Sequence, residues 1–262
     1  MTSDLSPIDT AKHAAARRAV AFIEDGMRVG LGTGSTAEWM VKCLGERVRN
    51  EGLRITGVAT SKRTAKLAEE LGITVVSLDE AKWLNLTIDG ADEYDHDLNL
   101  IKGGGGAHLI EKIVATASDQ MIVIADLSKQ VDTLGAFPLP VEVIPFGWQT
   151  TKSLIEETLV NLDVMGRTVT RRMVDGAPFV SDEGNFILDL DLKRIGDARQ
   201  TSLALNQIPG VVENGLFIDI CDIVVIGAGD GSVELRDLSR GTVEHEAARE
   251  GREENLFVEI DD

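Results

Sequence analysis

The chain has no apolar run of about 18 residues, the length a helix needs to cross a bilayer, so no membrane span is expected. Its first residues, Met1-Thr2-Ser3-Asp4-Leu5-Ser6-Pro7, carry no basic segment followed by an apolar stretch. No secretory signal is expected either, and the cytoplasm is the expected compartment. Cysteine is scarce. Cys43 and Cys221 have no metal-type spacing, and such sparse use suits a reducing compartment in which both are small buried hydrophobes. The four histidines, His13, His96, His108 and His245, form no ligand pattern, so no structural metal is expected. Basic residues are in deficit, with 26 Lys plus Arg against 44 Asp plus Glu and a formal net charge of -18. A nucleic-acid backbone needs a basic face, so nucleic acid is excluded as a partner.

This acidity has two explanations: binding of cations or basic partners, or a surface kept soluble at high salt. The acids are spread along the whole chain, which favours salt adaptation, since screening removes the self-repulsion that opposes compactness. Lowering the salt is therefore expected to promote unfolding. Thermal melts in concentrated salt and in dilute buffer without divalent cations check this, and full stability in the dilute buffer would count against it.

What the chain does have is glycine in an unusual place. In Ile101-Lys102-Gly103-Gly104-Gly105-Gly106-Ala107-His108-Leu109-Ile110-Glu111-Lys112, four consecutive glycines separate a lysine from an acid in an apolar-periodic segment. Each glycine loses more backbone entropy on ordering than any other residue, so such a run makes sense where bare amides must approach something closely. With Ala107 to Ala117 as a helix, Gly106 lies near its N-cap and Glu111 within about its first turn. An ammonium, free amides and a carboxylate then converge, which suits abstraction of a proton next to a carbonyl with the oxyanion held in place. The same residues also fit a flexible turn with a surface lysine and a first-turn acid favoured by the helix dipole.

At 262 residues the chain can bury a substantial core, as one large domain or two unequal ones. Helical patterns at 10–25, 36–48 and 61–71 alternate with short apolar strands at 27–31, 53–59 and 73–76. Strands at 84–89, 98–101 and 121–126 are read as continuing the same sheet. This alternation predicts an α/β fold, an open and mostly parallel sheet with helices on both faces, Rossmann-like. The texture changes near Gly135-Ala-Phe-Pro-Leu-Pro140, and 132–207 reads as an inserted α+β unit of strands near 141–144, 167–174 and 185–192 and helices near 148–161 and 198–207. Segments 216–220 and 222–229 read as a return to the first sheet, so 1–131 and 208–235 form the main domain. An acidic extension, 236–262, follows, with Leu256-Phe257-Val258 as its apolar patch, and reads either as an ordered extension or as a loose tail.

Three further turns sit where parallel sheets bind ligands, at the ends of strands. Gly30-Leu-Gly-Thr-Gly-Ser-Thr-Ala37 loosely matches a dinucleotide fingerprint, but no Asp or Glu ends the second strand, where Ala59-Thr60-Ser61-Lys62 stands. It also lacks the Gly-Lys-Ser/Thr of a nucleotide loop. What remains is a cup with the hydroxyls of Thr33, Ser35 and Thr36 at a helix start, suited to a phosphomonoester or serving simply as a turn. Lys12 either reaches the same phosphate or is solvated. Asp89-Gly90-Ala91-Asp92-Glu93 packs three acids into five residues, for acid or base work on sugar hydroxyls or as solvated turn residues. Asp95-x-Asp97-x-Asn99 starts like a Ca²⁺ loop but then has Leu100 at the glycine position, which excludes it. Asp126-Leu-Ser-Lys129 aims Lys129 at an anion or at solvent.

Gly32-Thr-Gly-Ser-Thr36, Asp89-Gly-Ala-Asp-Glu93, Ile101-Lys-Gly-Gly-Gly with Glu111, and Asp126-Leu-Ser-Lys-Gln-Val131 followed by Phe137-Pro-Leu-Pro-Val-Glu-Val143 resemble, in order and spacing, the type A ribose-5-phosphate isomerase family. The resemblance covers roughly 8–232. Departures are a fourth glycine and His108 in the lysine loop, Leu127 where a smaller residue is usual, and the acidic tail. The resemblance implies interconversion of ribose 5-phosphate and ribulose 5-phosphate through an enediolate, with no metal and no cofactor. It implies that Glu111 moves a proton between C2 and C1, that Asp89 assists ring opening and proton traffic between the oxygens, and that Asp92 positions hydroxyls. Lys102 with the amides of Gly103, Gly104 and Gly105 would stabilise the enediolate. Lys12, Thr33, Gly34, Ser35, Thr36 and Lys129 would hold the phosphate or the sugar near it. It further implies a homodimer or homotetramer. Two rivals stay open, a sugar-phosphate sensor that binds without reacting and a dinucleotide oxidoreductase.

Overall fold

The computed structural model describes residues 5–248. Ser6 caps α1 (Pro7–Val20), accepting from the Asp9 amide, and Pro7 fits the first turn, where no amide partner is needed. The chain then alternates through β1 (Arg28–Leu31), α2 (Ser35–Glu51), β2 (Thr56–Ala59), α3 (Lys62–Glu70), β3 (Thr74–Val75), α4 (Leu78–Ala81) and β4 (Leu86–Gly90). A short hairpin, β5 (Glu93–Tyr94) and β6 (Leu100–Ile101), leads through the glycine run into α5 (His108–Thr116) and β7 (Met121–Asp126). The smaller unit holds β8 (Leu139–Val143), α6 (Trp148–Leu159), β9 (Thr168–Arg171), β10 (Met173–Val174), β11 (Ala177–Pro178), β12 (Phe186–Asp191), α7 (Ala198–Asn206) and β13 (Val211–Asn214). The chain returns through β14 (Leu216–Phe217), β15 (Ile223–Gly227), β16 (Val233–Asp237) and β17 (Thr242–Glu246).

Eight strands form the main sheet in the order β17-β16-β15-β7-β4-β1-β2-β3. Every pair from β15 to β3 is parallel, and β16 and β17 add antiparallel at one edge. The central strands are apolar throughout because both faces are covered. In β7, Ile122 and Ile124 face the core shared with α1 and α2. Met121, Val123 and Ala125 face the opposite side, among Tyr94, Leu100 and Phe217. The expected α/β fold is what the chain adopts.

Two expectations need correction. Residues 98–101 and 216–220 do not extend the main sheet: β14, β6 and β5 form a separate three-stranded antiparallel sheet. These two-residue strands are buried on both faces, so no alternation in the sequence says which sheet they join. The smaller antiparallel sheet, β13-β8-β12-β9, takes Val211–Asn214 and so runs past the expected boundary at 207. Of the two readings of the acidic extension the ordered one holds for its start, since β16 and β17 pair as a hairpin on the sheet edge. β17 is mostly exposed, and an exposed edge strand needs no apolar signal. Leu256-Phe257-Val258 lie outside the described residues.

Candidate active site

The strand order reverses at β1. The chain runs outward through β2 and β3 and returns on the other side with β4, so the carboxyl ends of β1 and β4 diverge and open a crevice. The turn after β1 passes directly over Asp89 in β4. A Cβ on Gly32 would stand 2.1 Å from Asp89 Oδ1, so the close approach requires glycine. The amides of Thr33 and Gly90 donate to that oxygen at 3.0 and 2.7 Å. Asp89 Oδ2 is thereby aimed at Lys102, 2.9 Å from Nζ.

Lys102 follows β6 and turns its ammonium under the end of β4. Nζ donates to the Gly90 carbonyl and lies 3.3 Å from Glu111 Oε2, in the first turn of α5. The next residue pins that helix, with Lys112 Nζ donating to Glu213 Oε1 at 2.9 Å and to the Asn214 carbonyl at 2.6 Å. Asp89, Lys102 and Glu111 are only 0, 2 and 4 % exposed. Two carboxylates therefore share one ammonium away from water. Burial pushes Glu111 up to about 8, with the charge of Asp89 adding to the rise and Lys102 opposing it. Burial likewise raises Asp89 against the pull of Lys102. Burial works against the Lys102 charge, but Asp89 and Glu111 outweigh it and hold the ammonium protonated. The extra proton belongs to the carboxylate pair, not to either member alone.

Glu111 and Lys102 open onto a cavity of about 180 Å³. Its walls also carry Lys12, Ser35, Thr36 and Lys129, the backbone of Gly34 at the start of α2, and Asp92 with Gly103, Gly104 and Gly105. Lys12 Nζ donates to Ser35 Oγ at 3.0 Å, so helix α1 brings a cation to the N-terminus of α2. An anion placed there meets an ammonium, two hydroxyls and helix amides. The sequence-derived candidates are thus brought together, with two qualifications. Asp89 stands behind Lys102 and is not part of the cavity wall. The Thr33 hydroxyl, expected in the phosphate cup, is engaged with Thr60 and Ser61 at 2.7 and 2.9 Å, leaving Thr33 at the wall without a free hydroxyl.

The acidic turn divides its labour. Asp92 accepts from the Gly104 amide at 2.7 Å, while Glu93 is buried and staples Gly135 and Phe137 through their amides. His108 is fully buried, and burial drives its pKa down to about 3, so it stays neutral. The wall also carries Ile8, Gly90, Ala91, Asp126 and Ser128, to which the sequence assigned no individual role, although all but Ile8 lie in turns it singled out. In the turn at the end of β7 only Lys129 carried an expected role, yet Asp126 and Ser128 reach the same crevice. Ile8 carries no sequence signal, because only the packing of α1 brings it there. Among the described residues, no three His, Cys, Asp or Glu side chains group as metal donors, and no helix is long and apolar enough to cross a membrane.

Residues 56–231 match the family Ribose 5-phosphate isomerase A (phosphoriboisomerase A). A ribose-5-phosphate isomerase A of Jannaschia sp. (strain CCS1) is 70% identical over 260 residues, 99% of each chain. That of Ruegeria pomeroyi is 69% identical over 262 residues, the full length of both. Among solved structures, a D-ribose-5-phosphate isomerase in complex with phospho-erythronic acid is 41% identical with a TM-score of 0.81, covering 88% of this chain and 99% of its own. Ribose 5-phosphate isomerase A of Methanocaldococcus jannaschii is 40% identical with a TM-score of 0.80, covering 87% and 98%. With full-length identity of this order and the same architecture, the chain belongs to the ribose 5-phosphate isomerase A family.

Proposed function

We propose that this chain interconverts D-ribose 5-phosphate and D-ribulose 5-phosphate through an enediolate, as an intramolecular oxidoreductase that needs neither metal nor nucleotide. The observation that carries the reading is the Glu111 carboxylate beside the Lys102 ammonium, 3.3 Å apart, at a small cavity whose wall also bears two further lysines and a helix N-terminus. Glu111 takes the proton from C2 of the open-chain aldose, and the electron pair moves into an enediolate. The same carboxylate returns the proton to C1, while a proton passes between the two oxygens, so the product is an isomer and nothing else is consumed. Lys102 and the amides of Gly103 and Gly105 stabilise the developing oxyanion, and the Gly104 amide instead holds Asp92. Lys12, Gly34, Ser35, Thr36 and Lys129 hold the ester, and Asp92 orients hydroxyls. Thr33 contributes its amide to Asp89. Asp89, behind Lys102, acts first through its charge, raising the basicity of Glu111 toward the working pH. The cavity, about 180 Å³, is below the roughly 300–1,000 Å³ of sites for larger ligands, which disfavours a dinucleotide.

Ketose formation from ribose 5-phosphate, followed against pH, tests the reading. Glu111 must be ionised to act, so kcat/KM is expected to rise with pH through an apparent pKa above the ordinary Glu value of about 4.3. Asp89→Asn removes a negative neighbour and leaves Lys102, so the Glu111 pKa falls and the acid limb moves to lower pH. Absence of ketose at every pH refutes the function, and an unmoved limb in the variant refutes the coupling.

The same reading takes 132–214 as an inserted α+β unit and the protein as a cytoplasmic homodimer or homotetramer adapted to salt. Exposed apolar side chains on that unit, Phe146, Met165 and Leu203, support self-association, and the net charge of -18 supports the adaptation.

A further inference from the structure

We propose that Arg172 is a positioning residue that fixes the peptide planes of the glycine loop, holding the Gly104 amide on Asp92 and turning the Gly105 amide toward the reacting end of the substrate. The proposal rests on the isomerase reading above. Arg172 directly follows β9, in the smaller unit and outside the cavity wall. Asp189 on β12 anchors its guanidinium from behind, accepting from Nε at 3.0 Å and also from Nη2. With two nitrogens fixed by a bidentate pair, the third has little freedom. Nη1 donates to the carbonyls of Gly103 at 2.8 Å and Gly104 at 3.1 Å.

In a planar trans peptide the C=O and N–H point in opposite directions. Holding the Gly103 carbonyl on Arg172 therefore turns the Gly104 amide away from it, where it donates to Asp92 Oδ2 at 2.7 Å. Holding the Gly104 carbonyl likewise turns the Gly105 amide away from Arg172, toward the cavity that Gly105 lines. Within the run the Gly106 amide donates to the Gly103 carbonyl at 2.9 Å, which closes a turn, and Arg172 adds the hold on the Gly104 carbonyl that no side chain of a four-glycine run can supply. The cation adds polarisation, because an amide whose carbonyl is bonded to a positive charge is a better donor. The fourth glycine belongs to the same device. Gly106 has φ +79°, and a Cβ there would stand 2.4 Å from the ring of Phe179. That ring lies 5.8 Å from the Arg172 guanidinium carbon and helps to cover the clamp.

The test measures two ligands on the purified full chain by calorimetry. Phospho-erythronic acid carries a phosphate ester at one end and a carboxylate at the other, so it spans the ester site and the loop amides. Inorganic phosphate engages the ester site alone. Arg172→Met is expected to weaken phospho-erythronic acid about tenfold and leave inorganic phosphate unchanged. In the same variant kcat is expected to fall more than KM rises. The loss should be smaller than the roughly 10²- to 10³-fold cost of deleting an oxyanion donor outright, because the amides remain and only their aim is lost. Arg172→Lys, which keeps the charge and can reach a carbonyl, should recover part of both. Equal weakening of both ligands would make Arg172 a fold-holding residue and overturn the proposal. Unchanged affinity for phospho-erythronic acid would overturn it as well. The binding arms need no turnover, so failure of the wild-type chain to form ketose would sink the isomerase reading alone.

Discussion

Glu111→Gln is expected to lower kcat at least about a hundredfold with little change in KM, since a positioned general base is typically worth about 10² to 10⁴. Glutamine keeps the size of the side chain and its place in the first turn of α5, so packing survives while the proton acceptor is lost. Binding should also survive, because the proposed ester site is built from Lys12, Ser35 and Thr36, and none of these touches Glu111 through a hydrogen bond. A structural lesion would look different. Replacing a buried carboxylate beside Asp89 with a neutral amide relieves like-charge repulsion, so the thermal transition near pH 8 should stay level or rise. Steady-state kinetics and melting on one preparation check both halves. Turnover near that of the wild type in this variant would remove Glu111 from the mechanism.

Lys102→Met is expected to cost the most stability of any single change at the site. The ammonium is 2 % exposed and is the charge partner of two sealed carboxylates. Removing one side of a buried ion pair typically costs about 3–5 kcal/mol, because the charge left behind has no compensation. The cost should depend on pH with a definite sign. Without the ammonium, Asp89 and Glu111 are pushed further above their unfolded values, so the folded state binds more protons than the unfolded one. Stability of the variant therefore falls as pH rises above the ordinary carboxylate range, and part of the loss returns at acid pH. Urea denaturation of both proteins at pH 5 and pH 8 measures this. A difference that does not grow with pH would mean that Asp89 and Glu111 are not held by Lys102. Turnover should fall as well, since a fixed donor to an oxyanion is worth roughly 10² to 10³ in kcat.

The site was more legible in the sequence than the layout around it, and the residues explain why. Glycine runs and strand-end turns mark places where a backbone must come close to something, so 32–36, 89–93 and 101–111 could be singled out without coordinates. The direction of a side chain is another matter. Thr33 reads as a phosphate-facing hydroxyl, yet it bonds to Thr60 and Ser61 in the turn between β2 and α3, 27 and 28 positions away. Asp89 reads as a residue open to the substrate, yet Lys102 stands in front of it. The clamp on the glycine loop has no local signature at all, because Arg172 lies well along the chain in another unit and its anchor Asp189 comes from a neighbouring strand.

By itself the sequence determined the alternation of strands and helices, hence the parallel sheet, because apolar periodicity and capping residues act over a few positions. It also determined which turns could present amides and charges, because glycine and acid spacing are local facts. Only the tertiary structure decided that Asp89, Lys102 and Glu111 form one buried cluster at the cavity, since the sheet reversal at β1 and the separate β5-β6-β14 sheet bring them together. The basicity of Glu111 was decided there too. A carboxylate far from water, beside a like charge and one ammonium, takes its proton affinity from those neighbours and not from its own chemistry.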